Sequence, residues 1–201
     1  MEATNIFLYG ASGHGKVIRD IVEACGGKVL GFFDDDISAD TLQDFSIKHE
    51  YHGESPLIIS IGSNKVRKLL SEKLQTTFAT AIHPSAIISP HASIGEGTVV
   101  MQGAVVQTEA NIGRHCIINT GASIDHECVV GDFVHISPHA TLCGNVHVGE
   151  GTWIGAGTTV IQGVKIGRWC MIGAGSVVSK DIPDGYLAVG NRCKLINKIV
   201  V

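Results

Sequence analysis

Runs of basic residues are missing from this chain. Lys and Arg form no block longer than the pair Arg67-Lys68 and the net charge is −4, so there is no basic stripe for a phosphate backbone, and nucleic acid is not an expected partner. No apolar run approaches the roughly 18 residues that a membrane span needs. The start, Met1-Glu2-Ala3-Thr4-Asn5, carries neither the charged nor the apolar region of a signal peptide. A cytoplasmic location without membrane insertion is the expectation. None of the six cysteines stands at C-x2-C spacing, which argues against a zinc knuckle or a disulfide framework. Large rings are scarce too, with aromatics at 5% against 25 glycines. That balance points to a repeat held together by its backbone, and 201 residues suffice for one compact unit or two small ones.

The repeat is present. From Ile82 to Val178 an aliphatic residue recurs every six positions without a slip, as in Val100, Val106, Ile112, Ile118, Ile124, Val130 and Ile136. Four residues after each stands a small side chain, such as Ala104, Ala110, Cys116, Ala122, Cys128 and Val134. Cys116, Cys128 and Cys170 fall on that small position, where a thiol packs as a small hydrophobe. A helix would show a period of 3.6 and a simple sheet a period of 2; a period of six means short strands joined by tight bends. Gly95, Gly113, Gly131, Gly149 and Gly167 stand 18 residues apart, so three hexads close one turn of a triangular β-solenoid. Glycine is expected at that corner because sharp bends need unusual backbone angles. Each coil is then stabilised by its neighbours rather than by one central core.

Before the solenoid, Asn5 to Tyr9 reads as a buried strand that runs into Gly10-Ala-Ser-Gly-His-Gly15. A helix is expected from Lys16 to Cys25, then a strand from Val29 to Phe33 ending in Asp34-Asp35-Asp36. A third strand, Leu57 to Ile61, leads into Gly62-Ser63-Asn64 and a helix from about Lys65 to Leu74; the segment from Ile37 to Pro56 is polar and carries no firm assignment. A glycine loop at a helix start lets backbone N–H groups approach an anion, and a carboxylate at the end of the second strand can take ribose hydroxyls. Three strands fit one nucleotide half better than a full dinucleotide fold.

A nucleotide-binding module ahead of a hexapeptide solenoid resembles the sialic-acid O-acetyltransferase-like family of left-handed β-helix acyltransferases, and within it the UDP-4-amino-sugar N-acetyltransferases. The resemblance rests on Tyr9-Gly-Ala-Ser-Gly-His-Gly15, Phe33-Asp-Asp35, Ile61-Gly-Ser-Asn64, His83-Pro84 and above all Ile124-Asp-His-Glu-Cys-Val-Val-Gly131. It implies a mixed architecture: an α/β nucleotide-sugar-binding domain over residues 1–78, and a left-handed parallel β-helix that binds acetyl-CoA over residues 79–201, with a short C-terminal tail. It implies a homotrimer with active sites between subunits and an acetyl-CoA-dependent N-acetyltransferase of a UDP- or GDP-linked 4-amino-deoxy sugar. By the same resemblance His126 is the general base and Glu127 raises its basicity. Ser12, Gly13, His14, Asp34, Asp35 and Gly62 match positions that hold the nucleotide sugar. His135, Gly144, Ala156 and Ala174 match positions along the acetyl-CoA groove. Gly190-Asn-Arg-Cys-Lys194 departs from the family's Gly-Asn-Pro-Ala-Lys.

Chemistry supports these assignments independently. His126 takes the second place of its hexad, a corner position that points outward, and an amine attacking a thioester must shed a proton that an imidazole is suited to collect. The 18-residue spacing stacks His126, Gly144, Gln162 and Lys180 along one edge. The Gly144 N–H can donate to the thioester oxygen as negative charge grows there. Three other readings compete. The same base would serve O-acetylation of a sugar hydroxyl. The N-terminal module would serve a non-catalytic sugar-nucleotide-binding protein, which leaves the His-Glu pair unexplained. Ten histidines would suit a zinc hydratase, but His135 and His139 occupy different hexad places and need not converge.

Overall fold

The computed structural model describes residues 5–38, 40–54 and 56–199. Its first part is a sheet of β1 (Asn5–Tyr9), β2 (Lys28–Phe33), β3 (Thr41–Leu42), β4 (Phe45–Lys48) and β5 (Leu57–Ile59), in the order β3-β4-β2-β1-β5. The parallel β1-β2-β5 core is the one expected from sequence. The β3-β4 hairpin is an addition, and the sheet has five strands rather than three. The hairpin's only buried apolar side chains are Leu42 and Ile47, too few to produce a periodic signal.

Helix α1 (Gly13–Ala24) begins three residues earlier than expected, and α2 (Asn64–Lys73) begins one earlier. The early start of α1 depends on glycine, because a Cβ at Gly15 would lie 2.5 Å from the Gly10 carbonyl oxygen. In α1 the apolar face of Ile18, Ile21 and Val22 packs under the sheet and against Ala81, Val99, Met101 and Ile117 of the solenoid. Full burial of each such side chain contributes about 1.5–3 kcal/mol. The α/β module is thereby seated on one side of the triangle.

The solenoid that the repeat implied is present, and it is the left-handed parallel β-helix that the family resemblance implied. Two-residue strands run from Ala81–Ile82 to Val177–Val178, each pairing with the strand one coil away, as Ile117 with His135 and Ile118 with Ile136. The aliphatic row and the small row both point inward and form one continuous core. The small position also bonds: Cys116 Sγ donates to Gly131 O at 3.1 Å, Cys128 Sγ to Cys143 O at 3.2 Å, and Thr98 Oγ1 to Gly113 O at 2.8 Å. Burial pushes the Cys116 thiol up to about 12, which keeps it protonated and a donor. The strands Tyr186–Val189 and Lys194–Lys198 pair antiparallel, and the first of them adds to Met171–Ile172.

The structure corrects the reason given for the 18-residue glycine row. Gly95, Gly113, Gly131, Gly149 and Gly167 are not among the residues with positive φ. A Cβ on each would instead lie within 2.3–2.7 Å of an atom in the next turn of chain, such as Gly113 C for Gly95 and Glu150 N for Gly131. Close stacking, not bend geometry, selects glycine there. The left-handed conformation falls two residues further on, at Gly97, His115, Phe133, Gly151 and Trp169. The other two corners repeat the device, one of them through Glu109, Glu127, Asn145 and Gly163.

Candidate active site

His126 and Glu127 form the corner after the strand Ser123–Ile124. Asp125 Oδ1 accepts the His126 backbone N–H at 2.8 Å and fixes the bend. Glu127 has φ of 59°, and its Oε2 lies 3.0 Å from His126 Nδ1. A carboxylate only accepts, so Nδ1 carries the proton and Nε2 is left with its lone pair. Both side chains are about half exposed, at 52% and 58%. The imidazole lies over Gly144 one coil on, where a Cβ would sit 2.6 Å from Nε2 and 2.5 Å from Cε1. Gly144 makes room for the ring, and its N–H donates no backbone hydrogen bond among the described residues.

The other residues singled out from sequence fall into separate places. Ser12 is the N-cap of α1, and its side chain makes no capping bond. Gly13 and Gly62 both face open space, with nothing within 4 Å of where a Cβ would stand, whereas Gly10 and Gly15 are packed tight. Asp34 is engaged by the loop itself: Oδ2 accepts from Ala11 N at 2.7 Å and Oδ1 from Asp36 N at 3.0 Å. Asp35 Oδ1 accepts from the Tyr9 hydroxyl at 2.6 Å, which together with burial holds the phenol above its ordinary range. Asp35 borders a 420 Å³ cavity with Tyr9, His49, Tyr51 and Lys73.

His135 is buried on the side of the solenoid that carries the α/β module. Asn119 Nδ2 donates to its Nε2 at 3.1 Å. Its ring stacks on Trp153 at 4.9 Å, and Trp153 Nε1 donates to Ser137 Oγ at 2.7 Å. Burial first, then the charge of Arg67 and the neighbouring His14, pulls His135 down to about 3. Burial and Arg67 pull His14 down to about 4. Both imidazoles are neutral at neutral pH, and His135 Nδ1 and His14 Nε2 have no partner among the described residues. Each is an unsatisfied group of the kind that a bound ligand or water completes. Sequence reasoning missed Asn119 and Trp153, although adding one 18-residue coil to His135 leads directly to Trp153.

Within one chain His14 and His135 come together, but His126 and Gly144 do not join them. His126 and Gly144 line the corner between the Ser123–Ile124 and Val129–Val130 sides. That corner is the vertex opposite the side on which the α/β module sits. Ala156 and Ala174 are exposed on a third stack, the corner after Trp153–Ile154 and Met171–Ile172. His139 is exposed on that same corner while His135 is buried, and among the described residues no three His, Cys, Asp or Glu side chains gather as metal ligands.

Residues 5–74 match the PglD N-terminal domain family, and residues 145–180 match the bacterial transferase hexapeptide repeats. A UDP-N-acetylbacillosamine N-acetyltransferase of Bacillus subtilis (strain 168) is 42% identical over 48% of this chain, so the match spans about half (51%) of that curated relative's length. The acetyltransferase domain of PglB from Neisseria gonorrhoeae FA1090 is 35% identical with a TM-score of 0.89, over 96% of this chain and 99% of that one. A mutant of the GDP-perosamine N-acetyltransferase from Caulobacter crescentus, solved in complex with CoA and GDP-perosamine, is 36% identical with a TM-score of 0.92, over 96% and 97%.

Proposed function

The chain belongs to the hexapeptide-repeat acyltransferases that carry a PglD-type N-terminal domain, and from that membership we propose that it moves acetyl from acetyl-CoA to the amino group of a UDP- or GDP-linked 4-amino-deoxy sugar used in bacterial surface glycans. The observation that carries the reading is the His126–Glu127 pair set over Gly144. His126 Nε2 collects the proton that the attacking amine must lose, and the Glu127 carboxylate on Nδ1 stabilises the resulting imidazolium. Acetyl-CoA supplies the activated acyl group, and the Gly144 N–H is the donor in reach of the developing oxyanion. Ser12, Gly13, His14, Asp35 and Gly62, in the domain over residues 1–78, take the nucleotide sugar, with Asp34 shaping their loop. His135, Ala156 and Ala174, in the β-helix over residues 79–201, join Gly144 in holding acetyl-CoA.

The opposite placement of His126 and the glycine loop supports a site shared between copies of the chain, with the base of one subunit facing the sugar held by another. A homotrimer is the assembly this reading requires. Exposed Ile87 and Val129, on the two sides that the α/β module leaves open, are apolar surface for such contacts. A cytoplasmic location fits the proposed donor, and no helix among the described residues is long and apolar enough to cross a membrane.

The test is thiol release from acetyl-CoA with a panel of UDP- and GDP-linked 4-amino-6-deoxy sugars, wild type against His126→Ala. Turnover on one sugar, reduced about 10²- to 10⁴-fold in the variant, is the expected result. Binding of acetyl-CoA without turnover on any amino sugar, together with turnover on a hydroxyl acceptor, would replace N-acetylation by O-acetylation.

A further inference from the structure

Arg67, in α2, is 1% exposed, and all five of its N–H groups end on neutral oxygens. Nε donates to His115 O at 3.0 Å; Nη1 donates to Ile61 O at 3.0 Å and Gly62 O at 2.9 Å; Nη2 donates to Asn64 Oδ1 at 2.8 Å and Phe133 O at 3.0 Å. Burial pulls its pKa to about 10, so the group stays charged at neutral pH without a carboxylate beside it. A Met or Leu of similar bulk would fill this space without the desolvation cost of a cation. Packing alone therefore does not account for a guanidinium here.

What the guanidinium joins is informative. Three of its acceptors belong to the loop before α2 and the first residue of that helix, Ile61, Gly62 and Asn64, and two belong to corners of the solenoid. His115 and Phe133 hold the same place in successive coils, and Asn64 Nδ2 takes the third member of that row, Gly151 O, at 3.0 Å. These three carbonyls accept no backbone hydrogen bond among the described residues. A solenoid surface repeats every coil, so a module resting on it meets nearly equivalent seats one coil up or down. Arg67 and Asn64 choose one seat by holding three consecutive carbonyls, and the ion pair of Lys68 with Glu150 at 2.6 Å adds to the choice.

We propose that Arg67 is a positioning residue for acetyl transfer: it ties the Gly62 loop to the coil that carries His135 and so sets the height along the solenoid at which the nucleotide-linked sugar is presented. The proposal rests on the reading of Gly62 as part of the sugar-nucleotide site. Arg67→Lys keeps the charge but replaces a planar five-donor fork by one point with three donors, and it cannot span the loop and both corners. The expected result is a KM for the nucleotide sugar raised about tenfold or more and a lowered kcat, with the Kd for acetyl-CoA within twofold of wild type. Hydrogen exchange at amides 60–66 should accelerate in the same variant while exchange in the coils beyond Gly151 does not. Sugar KM and kcat at wild-type values, or unchanged exchange at 60–66, would overturn the proposal. So would losses that only track the folded fraction. Should Arg67→Lys fail to fold, Asn64→Ala removes one acceptor of the guanidinium and the bond to Gly151 O; it is expected to give the same split at about two- to fivefold, and wild-type kinetics there would overturn the idea equally. If the wild-type protein turns over no nucleotide sugar, the functional reading falls, and the exchange measurement still decides what Arg67 holds.

Discussion

Glu127 keeps a positive φ that costs an ordinary L-residue about 1–2 kcal/mol. At the same corner one coil earlier stands Glu109, and later stand Asn145 and Gly163, so the fold accepts glycine at this place. Glu127→Gly should therefore raise the thermal midpoint, by about 2–4 °C per kcal/mol for a chain of this size, while kcat falls at least tenfold as His126 loses its partner. Thermal unfolding and initial rates on the same preparation check both signs. A less stable variant would mean that the bend carries no strain, and an undiminished kcat would remove Glu127 from the chemistry. At this scale the sequence was legible where neighbours in the chain are neighbours in space, as with His126 and Glu127. It was not where contact arises between coils. The ring of His126 over Gly144, and Asn119 and Trp153 about His135, follow from coil stacking that a linear reading shows only after the period is applied.

Close stacking and bend geometry are different constraints on the corners, and two corner glycines separate them. A Cβ at Gly113 would lie 2.7 Å from Asp132 N and Gly131 C, at an ordinary φ; a Cβ at Gly103 would meet nothing within 4 Å, at φ of 67°. Gly103→Ala should cost about 1–2 kcal/mol from backbone conformation alone. Gly113→Ala must push backbone off backbone and should cost more, toward or beyond the 1–3 kcal/mol typical of overpacking. Urea unfolding of the two variants tests the order, and the reverse order would restore bend geometry as the reason for the glycine row. The six-residue period made the short strands and both inward rows readable. The β3-β4 hairpin stayed hidden because it presents one deeply buried apolar residue per strand, and the starts of α1 and α2 shifted because glycine and Ser63 let helix begin earlier than composition suggests.

Across the molecule, burial of histidine makes stability depend on pH. His115 lies between Phe78 and Phe133, and burial, then Arg114 and Arg67, pull it down to about 4; His135 goes to about 3. Below about pH 6.5 the unfolded chain takes up protons at both sites, and the native state does not until about pH 4 and 3. Stability is therefore fully present above 6.5 and falls as pH drops, by at most about 1.4 kcal/mol per unit per site. Thermal midpoints between pH 7 and 4.5 should show this decline, and His115→Leu should make it shallower; an equal slope in the variant would mean that His115 titrates normally. The two-module plan was visible in the sequence because a nucleotide-type loop and a hexad period are both local signals. The seat of one module on the other was not, since Arg67 meets the solenoid through backbone carbonyls, which every residue possesses. That seat also divides the solenoid by its freedom to vary in length. Whole coils of 18 residues can be added beyond Ala174 without moving the loop that Arg67 holds. A coil gained or lost between Ala81 and His115 must instead carry the seat one step away from the point where the chain enters the stack. Growth of this architecture is thus quantised and one-ended, free at its far tip and fixed at its root.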